Sequence, residues 1–146
     1  MNEAVADARV ARIVAMFEAL APADIARLPD FYAAEARFKD PFNDVRGVAE
    51  VQRIFAHMFT ALNEPRFVVH TVIVQGEQCF LTWDFLFRFR RGHPSLQTVR
   101  GGSHLVLDAQ GLIMVHRDYW DAAEELYEKL PVVGTLMRWL KRRANA

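Results

Sequence analysis

The sequence predicts an α+β fold in a single domain, because the spacing of its apolar residues differs between two parts of the chain. In the helical segments of the first 62 residues they recur at helical spacing, whereas between residues 66 and 121 they alternate with the two-residue period of β-strands. Turn residues divide the later part into consecutive antiparallel strands. We therefore expect three N-terminal helices packed on one face of a long antiparallel sheet, followed by a C-terminal helix.

The first and third N-terminal helices are predicted from an apolar stripe and from residues that stop them, and the second from its flanking residues. The first ends near Pro22, and a short second helix covers residues 23–32 with a break at Pro29. The third begins at Gly47 and stops at residues 63–65. The stripe of the first helix is Val5, Val10, Ile13, Val14, Phe17 and Leu20. The stripe of the third is Val51, Ile54, Phe55, Met58 and Leu62.

Strands are predicted where the two-residue period holds between turns. An extended segment covers residues 36–42, and four long strands follow the third helix, over residues 66–74, 78–90, 96–107 and 112–121. In the second of these four, one face is almost wholly apolar and is expected against the helices; it consists of Leu81, Trp83, Phe85 and Phe87. A C-terminal helix starts near Asp121, is broken at Pro131, and resumes over residues 135–142.

Composition excludes several classes of function. The chain has 146 residues with 18 basic and 18 acidic side chains, so no global field attracts nucleic acid. The single Cys79 excludes an intramolecular disulfide and a cysteine-based zinc cluster. No spacing completes a metal site and no glycine-rich phosphate loop follows a strand, so we expect neither metal nor cofactor. The N-terminus lacks the pattern of a signal peptide, which predicts a cytoplasmic protein.

The segment His116–Asp121 concentrates ionisable side chains at the end of the last predicted strand. Because side chains alternate between the faces of a strand, His116, Asp118 and Trp120 share one face. If that face points inward, burial of an imidazole and a carboxylate is costly unless they are paired or functional. The alternative is a structural ion pair at the rim of the sheet.

Three further features carry a resemblance to a known group of proteins. The first is the segment 32–41, which ends in Asp40-Pro41; the second is Arg46-Gly47 at the start of the third helix; the third is the hairpin Gly102–Gly111. Together with the element order, they resemble the nuclear transport factor 2-like superfamily, in its SnoaL-like and ketosteroid-isomerase-like branch. The resemblance spans about residues 10–121.

That resemblance implies a cone-shaped barrel, in which a curved sheet wraps around the helices and leaves an internal pocket at its open end. Residues 1–121 would form this cone, and residues 122–146 a basic amphipathic helical extension of the same domain. A homodimer is implied as well. Its interface would be the outer face of the sheet, with polar contacts from Asp84, Arg88 and His104.

The isomerase residues transfer only in part. Asp40 matches the general-base aspartate that precedes a proline, and Tyr32 and Trp120 match aromatic pocket positions. The helical tyrosine donor falls at Met16, which cannot donate, and the second donor, an aspartate, falls at Ser103. Ketosteroid isomerisation by the family mechanism is therefore not expected. The same register turns Asp118 and His116 toward the cavity, where the isomerase has apolar residues, and this departure suggests different chemistry.

The first functional hypothesis is a cofactor-independent acid–base isomerase, dehydratase or cyclase acting on an apolar small molecule. Its expected site consists of Asp40 as general base, His116 and Asp118 as a proton-shuttling pair, Tyr32 and Ser103 as hydrogen-bond donors, and Phe55, Trp83 and Trp120 as cavity walls. The alternative is a non-catalytic module that holds a lipid-like ligand in the same pocket. For Asp40 itself, the alternative to a pocket role is a structural one, in which it caps the turn before Pro41 or pairs with Lys39 or Arg46.

The C-terminal segment offers a third hypothesis. Its apolar residues are Leu130, Val132, Val133, Leu136, Met137, Trp139 and Leu140, and its basic residues are Arg138, Lys141, Arg142 and Arg143. A short basic amphipathic helix with a tryptophan suits weak contact with an anionic membrane surface or a partner protein. Packing over the pocket mouth or across a dimer is the alternative.

Overall fold

A curved sheet of six strands and the helices around it make up the part of the chain that the structure, a computed structural model, describes: residues 5–92, 95–125 and 131–144, with the backbone alone for residues 131–135 and 137. The strands are β1 (Tyr32–Lys39), β2 (Asp44–Arg46), β3 (Leu62–Gln75), β4 (Gln78–Phe89), β5 (Gln97–Leu107) and β6 (Ile113–Tyr119). The helices are α1 (Ala8–Ala19), a 3-10 helix (Pro22–Asp30), α2 (Val48–Ala61), α3 (Ala122–Glu125) and α4 (Pro131–Ala144). The predicted α+β class is confirmed.

The strand order is β2-β1-β6-β5-β4-β3, and the sheet does not close. Strands β3 to β6 form the predicted antiparallel meander. Strand β1, however, pairs with β6 in parallel, with Phe38 opposite His116. A parallel pair needs a long connection, and here that connection is most of the chain. The pairing brings the first extended segment beside the last strand.

The core lies between the concave face of the sheet and the helices α1 and α2. In β4, Leu81, Trp83 and Phe87 are buried, which confirms the predicted inward face, and Phe85 is partly buried. From α1, the 3-10 helix with its flanking residues, and α2, the buried apolar residues are Val10, Ile13, Val14, Met16, Phe17, Leu20, Leu28, Phe31, Val51 and Phe55. Burial of these stripes supplies the main stabilisation of helices of this length.

Several element boundaries differ from the predictions, for local reasons. The second helix is a 3-10 helix with Pro22 in its first turn. Helix α2 ends at Ala61, and β3 begins at once and includes Pro65. Proline is tolerated there because β3 is an edge strand with a register shift between Asn63 and Arg66. The three-residue strand β2 was not predicted.

Helix α1 is fixed at its start by a small ionic cluster. Asp7 caps it by accepting hydrogen bonds from the backbone N–H groups of Arg9 (3.0 Å) and Val10 (3.4 Å). The Arg9 guanidinium bonds Asp7 and also Glu77 in the β3–β4 turn. The hydrogen bond from Arg9 lowers the pKa of Asp7 to about 2. The cluster therefore ties the helix to the far end of the sheet.

The C-terminal helix begins at Pro131, as a proline in the first turn permits. Of the apolar residues predicted for this segment, Leu130 and the side chains of Val132, Val133 and Met137 lie outside what the structure describes. None of the helices in the described ranges is both long and apolar enough to cross a membrane.

Candidate functional site

Five polar side chains form one continuous hydrogen-bonded chain inside the fold, and we call them the polar relay: Tyr32, His116, Asp118, Ser103 and Trp83. The Tyr32 hydroxyl lies 2.7 Å from His116 Nδ1, and His116 Nε2 lies 2.7 Å from Asp118 Oδ1. Ser103 Oγ lies 2.5 Å from the same Asp118 oxygen and 2.9 Å from Trp83 Nε1. The side chain of His116 is 3% exposed and that of Asp118 is 15% exposed.

Four strands contribute the relay residues: β1, β4, β5 and β6. Two-residue alternation along β6 turns His116 and Asp118 to the same face. Antiparallel pairing sets Ser103 of β5 directly opposite Asp118. The parallel β1–β6 pairing sets Phe38 opposite His116, and the buried Tyr32 reaches the imidazole from the start of β1. The relay therefore includes a direct hydrogen bond between two side chains, Tyr32 and His116, that are 84 positions apart in the chain.

The direction of the bonds follows from the groups at the two ends. An indole N–H can only donate, so Ser103 Oγ accepts from Trp83, and its own proton is left to donate to Asp118. At the other end Tyr32 is fully buried, and this burial, together with the charge of Asp118, raises the pKa of Tyr32 well above its usual value of 10. The phenol therefore keeps its proton and donates a hydrogen bond to His116 Nδ1. A neutral imidazole then carries its proton on Nε2 and donates to Asp118.

Both branches of the relay thus end on one carboxylate oxygen, Asp118 Oδ1. No side chain or backbone group within the described ranges donates a hydrogen bond to the other oxygen, Oδ2. A carboxylate held through one oxygen, with the second oxygen still able to accept, is the arrangement expected of a positioned proton acceptor.

Asp118 also stands between two spaces. On the inner side is an aromatic cavity of about 20 Å³, which is room for about one water molecule. Its walls are Phe17, Phe55, Phe67, Val69, Leu81, Trp83, Ser103, His116 and Asp118. On the other side is an open cleft of about 520 Å³, which we call the outer cleft. Its walls are Lys39, Asp40, Pro41, Arg117, Asp118, Tyr119, Trp120 and Asp121. Of these two spaces, only the outer cleft has the size of a small-molecule site.

The predicted base Asp40 lies in the outer cleft, and its carboxylate is engaged locally. Its Oδ1 accepts hydrogen bonds from the backbone N–H groups of Phe42 (2.8 Å) and Asn43 (2.6 Å). The Asn43 side-chain amide lies 3.1 Å from each of its oxygens. Asp40 thus caps the turn that follows β1, which was the alternative considered for it from sequence. It forms no hydrogen bond with the polar relay, and its role as base stays a prediction.

The aromatic residues of the predicted site divide between the two spaces. Phe55 and Trp83 line the inner cavity. Trp120 lies in the outer cleft, where its ring makes an edge contact with Phe42 at 5.5 Å. The aromatic ring of Phe38, which was not predicted, packs against the His116 imidazole at 4.7 Å.

One residue that supports the site was missed. A Cβ atom on Gly101 would lie 2.6 Å from Cη2 of Trp83 and 3.0 Å from Cβ of Trp120. The Trp83 ring therefore crosses β5 over a residue that has no side chain, and from there it reaches Ser103. A glycine inside a strand is a known sign of such a close approach, but the sequence does not show what approaches it.

Other polar residues of the sheet are paired elsewhere. His70 lies 3.0 Å from Asp84. His104 lies 2.8 Å from Oε1 of Gln78. Arg100 forms an ion pair of 2.9 Å with the buried Glu125 of α3. Over the described part of the chain, no group of three or more histidine, cysteine, aspartate or glutamate side chains is arranged to hold a metal ion.

Comparison with solved structures identifies the fold. A protein with a ketosteroid isomerase-like fold from Catenulispora acidiphila superposes with a TM-score of 0.70 at 14% identity, over 84% of this chain and 92% of the other. A protein from Jannaschia sp. that carries the name of a SnoaL-like polyketide cyclase gives 0.68 at 15% identity, over 80% and 87%. An epoxide hydrolase of M. tuberculosis, called LEH-like, gives 0.68 at 15% identity, over 91% and 96%.

Comparison of the sequence with curated proteins finds no match. The profile of the SnoaL-like domain, in contrast, matches residues 13–116, which contain four of the five relay residues and most of the sheet. The structural likenesses, all at low identity, support the nuclear transport factor 2-like fold. This chain therefore belongs to the SnoaL-like domain family of the nuclear transport factor 2-like superfamily.

Proposed function

We propose that the protein is a cofactor-independent acid–base enzyme, of the isomerase, dehydratase or cyclase type, that acts on an apolar small molecule. Asp118 is the proton acceptor in this proposal. The observation that carries it is the unequal state of the Asp118 oxygens, since Oδ1 receives the two branches of the polar relay while Oδ2 receives no described donor.

The relay gives each of its members a role in the proposed reaction. Donation from His116 and Ser103 orients the carboxylate, so that Oδ2 meets an acidic C–H or O–H group of the substrate. When Asp118 takes up the proton on Oδ2, its carboxyl group becomes neutral, and the same oxygen returns that proton to the product. His116 keeps its own proton on Nε2 and holds the carboxyl group in place through Oδ1. Tyr32 holds His116 and Trp83 holds Ser103 by hydrogen bonds on the side away from Asp118. In this proposal neither Tyr32 nor Trp83 contacts the substrate.

The outer cleft is the proposed substrate site. Its volume lies in the range of small-molecule sites, and the exposed edge of Asp118 forms part of its wall. Trp120 offers an apolar ring there, and Lys39 and Arg117 offer positive charge for an oxygen that becomes negative during proton abstraction. Two proteins of similar fold are named as a polyketide cyclase and an epoxide hydrolase. These names support small-molecule chemistry on this fold but select no reaction.

The test compares carboxylates of the same cleft. Proton abstraction from a panel of cyclic ketones and enones is followed by ¹H NMR as exchange of their acidic protons in D₂O. We expect Asp118→Asn to lower the exchange rate by about 10²- to 10⁴-fold, the usual contribution of a general base. Asp121→Asn, which removes another carboxylate of the outer cleft, is the matched control and is expected to keep most of the rate.

Asp40→Asn separates this proposal from the base predicted from the sequence. A loss of exchange in Asp40→Asn with full exchange in Asp118→Asn would assign the base to Asp40 and reject Asp118 as the proton acceptor. An apolar ligand that co-purifies tightly and is released unchanged, with no exchange on any ketone of the panel, would instead favour the non-catalytic binding module.

A further inference from the structure

Helix α4 presents large apolar side chains to solvent. Leu136 is 51% exposed, Trp139 46% and Leu140 44%, so three bulky side chains within five residues are about half accessible. Single exposed apolar residues are ordinary on protein surfaces, but an exposed cluster usually marks a contact site.

The same C-terminal segment is strongly basic, whereas the rest of the chain has a net negative charge. Residues 131–146 contain four basic side chains and no acidic one, which leaves 14 basic against 18 acidic side chains in residues 1–130. A chain with zero net charge is therefore divided into a basic helix and an acidic remainder. This local charge gives the helix an attraction for anionic surfaces that the protein as a whole lacks.

The apolar and basic side chains occupy opposite sides of α4. At about 100° per residue, Leu136, Trp139 and Leu140 fall within one arc, and Arg138, Lys141 and Arg142 fall within an arc on the other side. Arg143 lies on the apolar side, where its guanidinium stands 5.2 Å from the centre of the Trp139 ring. A helix lying in a membrane interface has this arrangement, with apolar chains directed into the lipid and long basic chains reaching the headgroups.

We propose that α4 is a surface-binding helix that lies flat on membranes containing anionic lipid. Charge separation favours this occupant over a second copy of the chain, because two α4 helices facing each other would bring like charges together. Three apolar side chains and four basic side chains give weak, reversible binding that depends on the salt concentration. The helix would hold the domain next to the lipid phase, independently of the reaction at the polar relay.

The test uses the full-length chain and two kinds of vesicle. Sedimentation with vesicles of phosphatidylcholine alone is compared with sedimentation with vesicles that also contain phosphatidylglycerol, at low and at high salt. We expect binding to the anionic vesicles only, and its loss at high salt. Binding should also shift the Trp139 fluorescence to shorter wavelength, and Trp139→Phe should remove that shift.

Substitutions in α4, each compared with the same substitution at an exposed residue elsewhere, test whether α4 is the membrane-binding surface. Replacing Arg142 and Arg143 by Ala should weaken binding by about fivefold for each residue, whereas the same change at two exposed arginines of other helices, Arg27 and Arg53, should have little effect. Leu140→Ser should weaken binding, and Ile73→Ser, on an exposed residue of β3, should not. Circular dichroism checks that each variant is folded.

Three results would overturn the proposal: equal binding to neutral vesicles, no binding to anionic vesicles at low salt, or equal losses in the α4 variants and their controls. Binding of an acidic protein that depends on α4, in the absence of vesicle binding, would assign the helix to a protein partner and reject the lipid surface.

Discussion

At the scale of single residues, the site depends on which hydrogen bonds a buried side chain can make. His116 is buried against the aromatic rings of Phe17, Phe38 and Tyr32, and both of its nitrogens are satisfied. A buried imidazole with one unpaired nitrogen would be costly. Tyr32 removes that cost and selects the form of the ring that donates to Asp118. It is therefore a positioning residue in the proposed mechanism.

Tyr32→Phe is expected to destabilise the protein by about 1–3 kcal/mol, because Nδ1 of His116 loses its buried donor. Tyr119→Phe, at an exposed tyrosine, should change the free energy of unfolding by less than about 0.5 kcal/mol. Urea unfolding of the two variants measures the difference, and ¹⁵N shifts of the imidazole report whether the proton leaves Nε2. Equal stability of the two variants would mean that the Tyr32 hydroxyl does not support His116.

At the scale of elements, β5 is the strand on which the site is built. It holds Ser103 opposite Asp118, and it keeps Gly101 under the ring of Trp83. On the other side of the site, the ion pair between Arg100 and Glu125 ties α3 to the same strand. The geometry of Asp118 is therefore set by how closely the side chains of β4 approach the backbone of β5.

Gly101→Ala is expected to lower the free energy of unfolding by about 1–3 kcal/mol, because the new methyl group overlaps the rigid Trp83 ring. In a Trp83→Phe background the outer ring atoms are absent, and the same substitution should cost less. A double-mutant cycle by urea unfolding measures this coupling. Additive losses would show that the overlap is relieved elsewhere and that Gly101 does not position Trp83.

At the scale of the whole molecule, the described structure buries two groups that ionise only in alkali. Burial raises the pKa of the Cys79 thiol to about 11 from 9.0, and it raises the pKa of Tyr32 as well. Each of these groups is more acidic in the unfolded chain than in the folded one. The stability that they confer is complete below the unfolded values and is lost as the pH rises through the folded ones.

The free energy of unfolding should therefore fall between pH 9 and pH 11, and Cys79 should contribute about 1 kcal/mol of this loss by pH 10. Urea midpoints at pH 8 and pH 10 measure it, and Cys79→Ala should show a smaller decrease than the wild type. If the two proteins lose the same stability over this range, the thiol ionises as readily in the folded state as in the unfolded one.

The homodimer implied by the family resemblance also belongs to this scale and stays a prediction. The three residues expected at that interface already have partners within the chain. Asp84 pairs with His70, Arg88 with Glu64, and His104 with Gln78. Their polar groups can still accept or donate further bonds across an interface, since most of them lie near the surface.

The sequence by itself determined the class of the fold and the face on which each residue of a strand lies. Both follow from the period of the apolar residues, which is a local property of the chain. It therefore placed His116 beside Asp118, and it predicted the apolar face of β4. It left two interpretations of Asp40 open, because a carboxylate before a proline can serve a turn or a pocket equally well.

The tertiary structure alone decided which distant residues meet. The parallel pairing of β1 with β6 brings Tyr32 to His116, and the register of β5 brings Ser103 to Asp118. Strand order and register are long-range properties, and a shift of one residue would turn these side chains to the other face. In the folded chain, Asp40 caps the turn after β1, whereas Asp118 lines both the inner cavity and the outer cleft. Local periodicity carries no information about either outcome, because both depend on contacts between segments far apart in the chain.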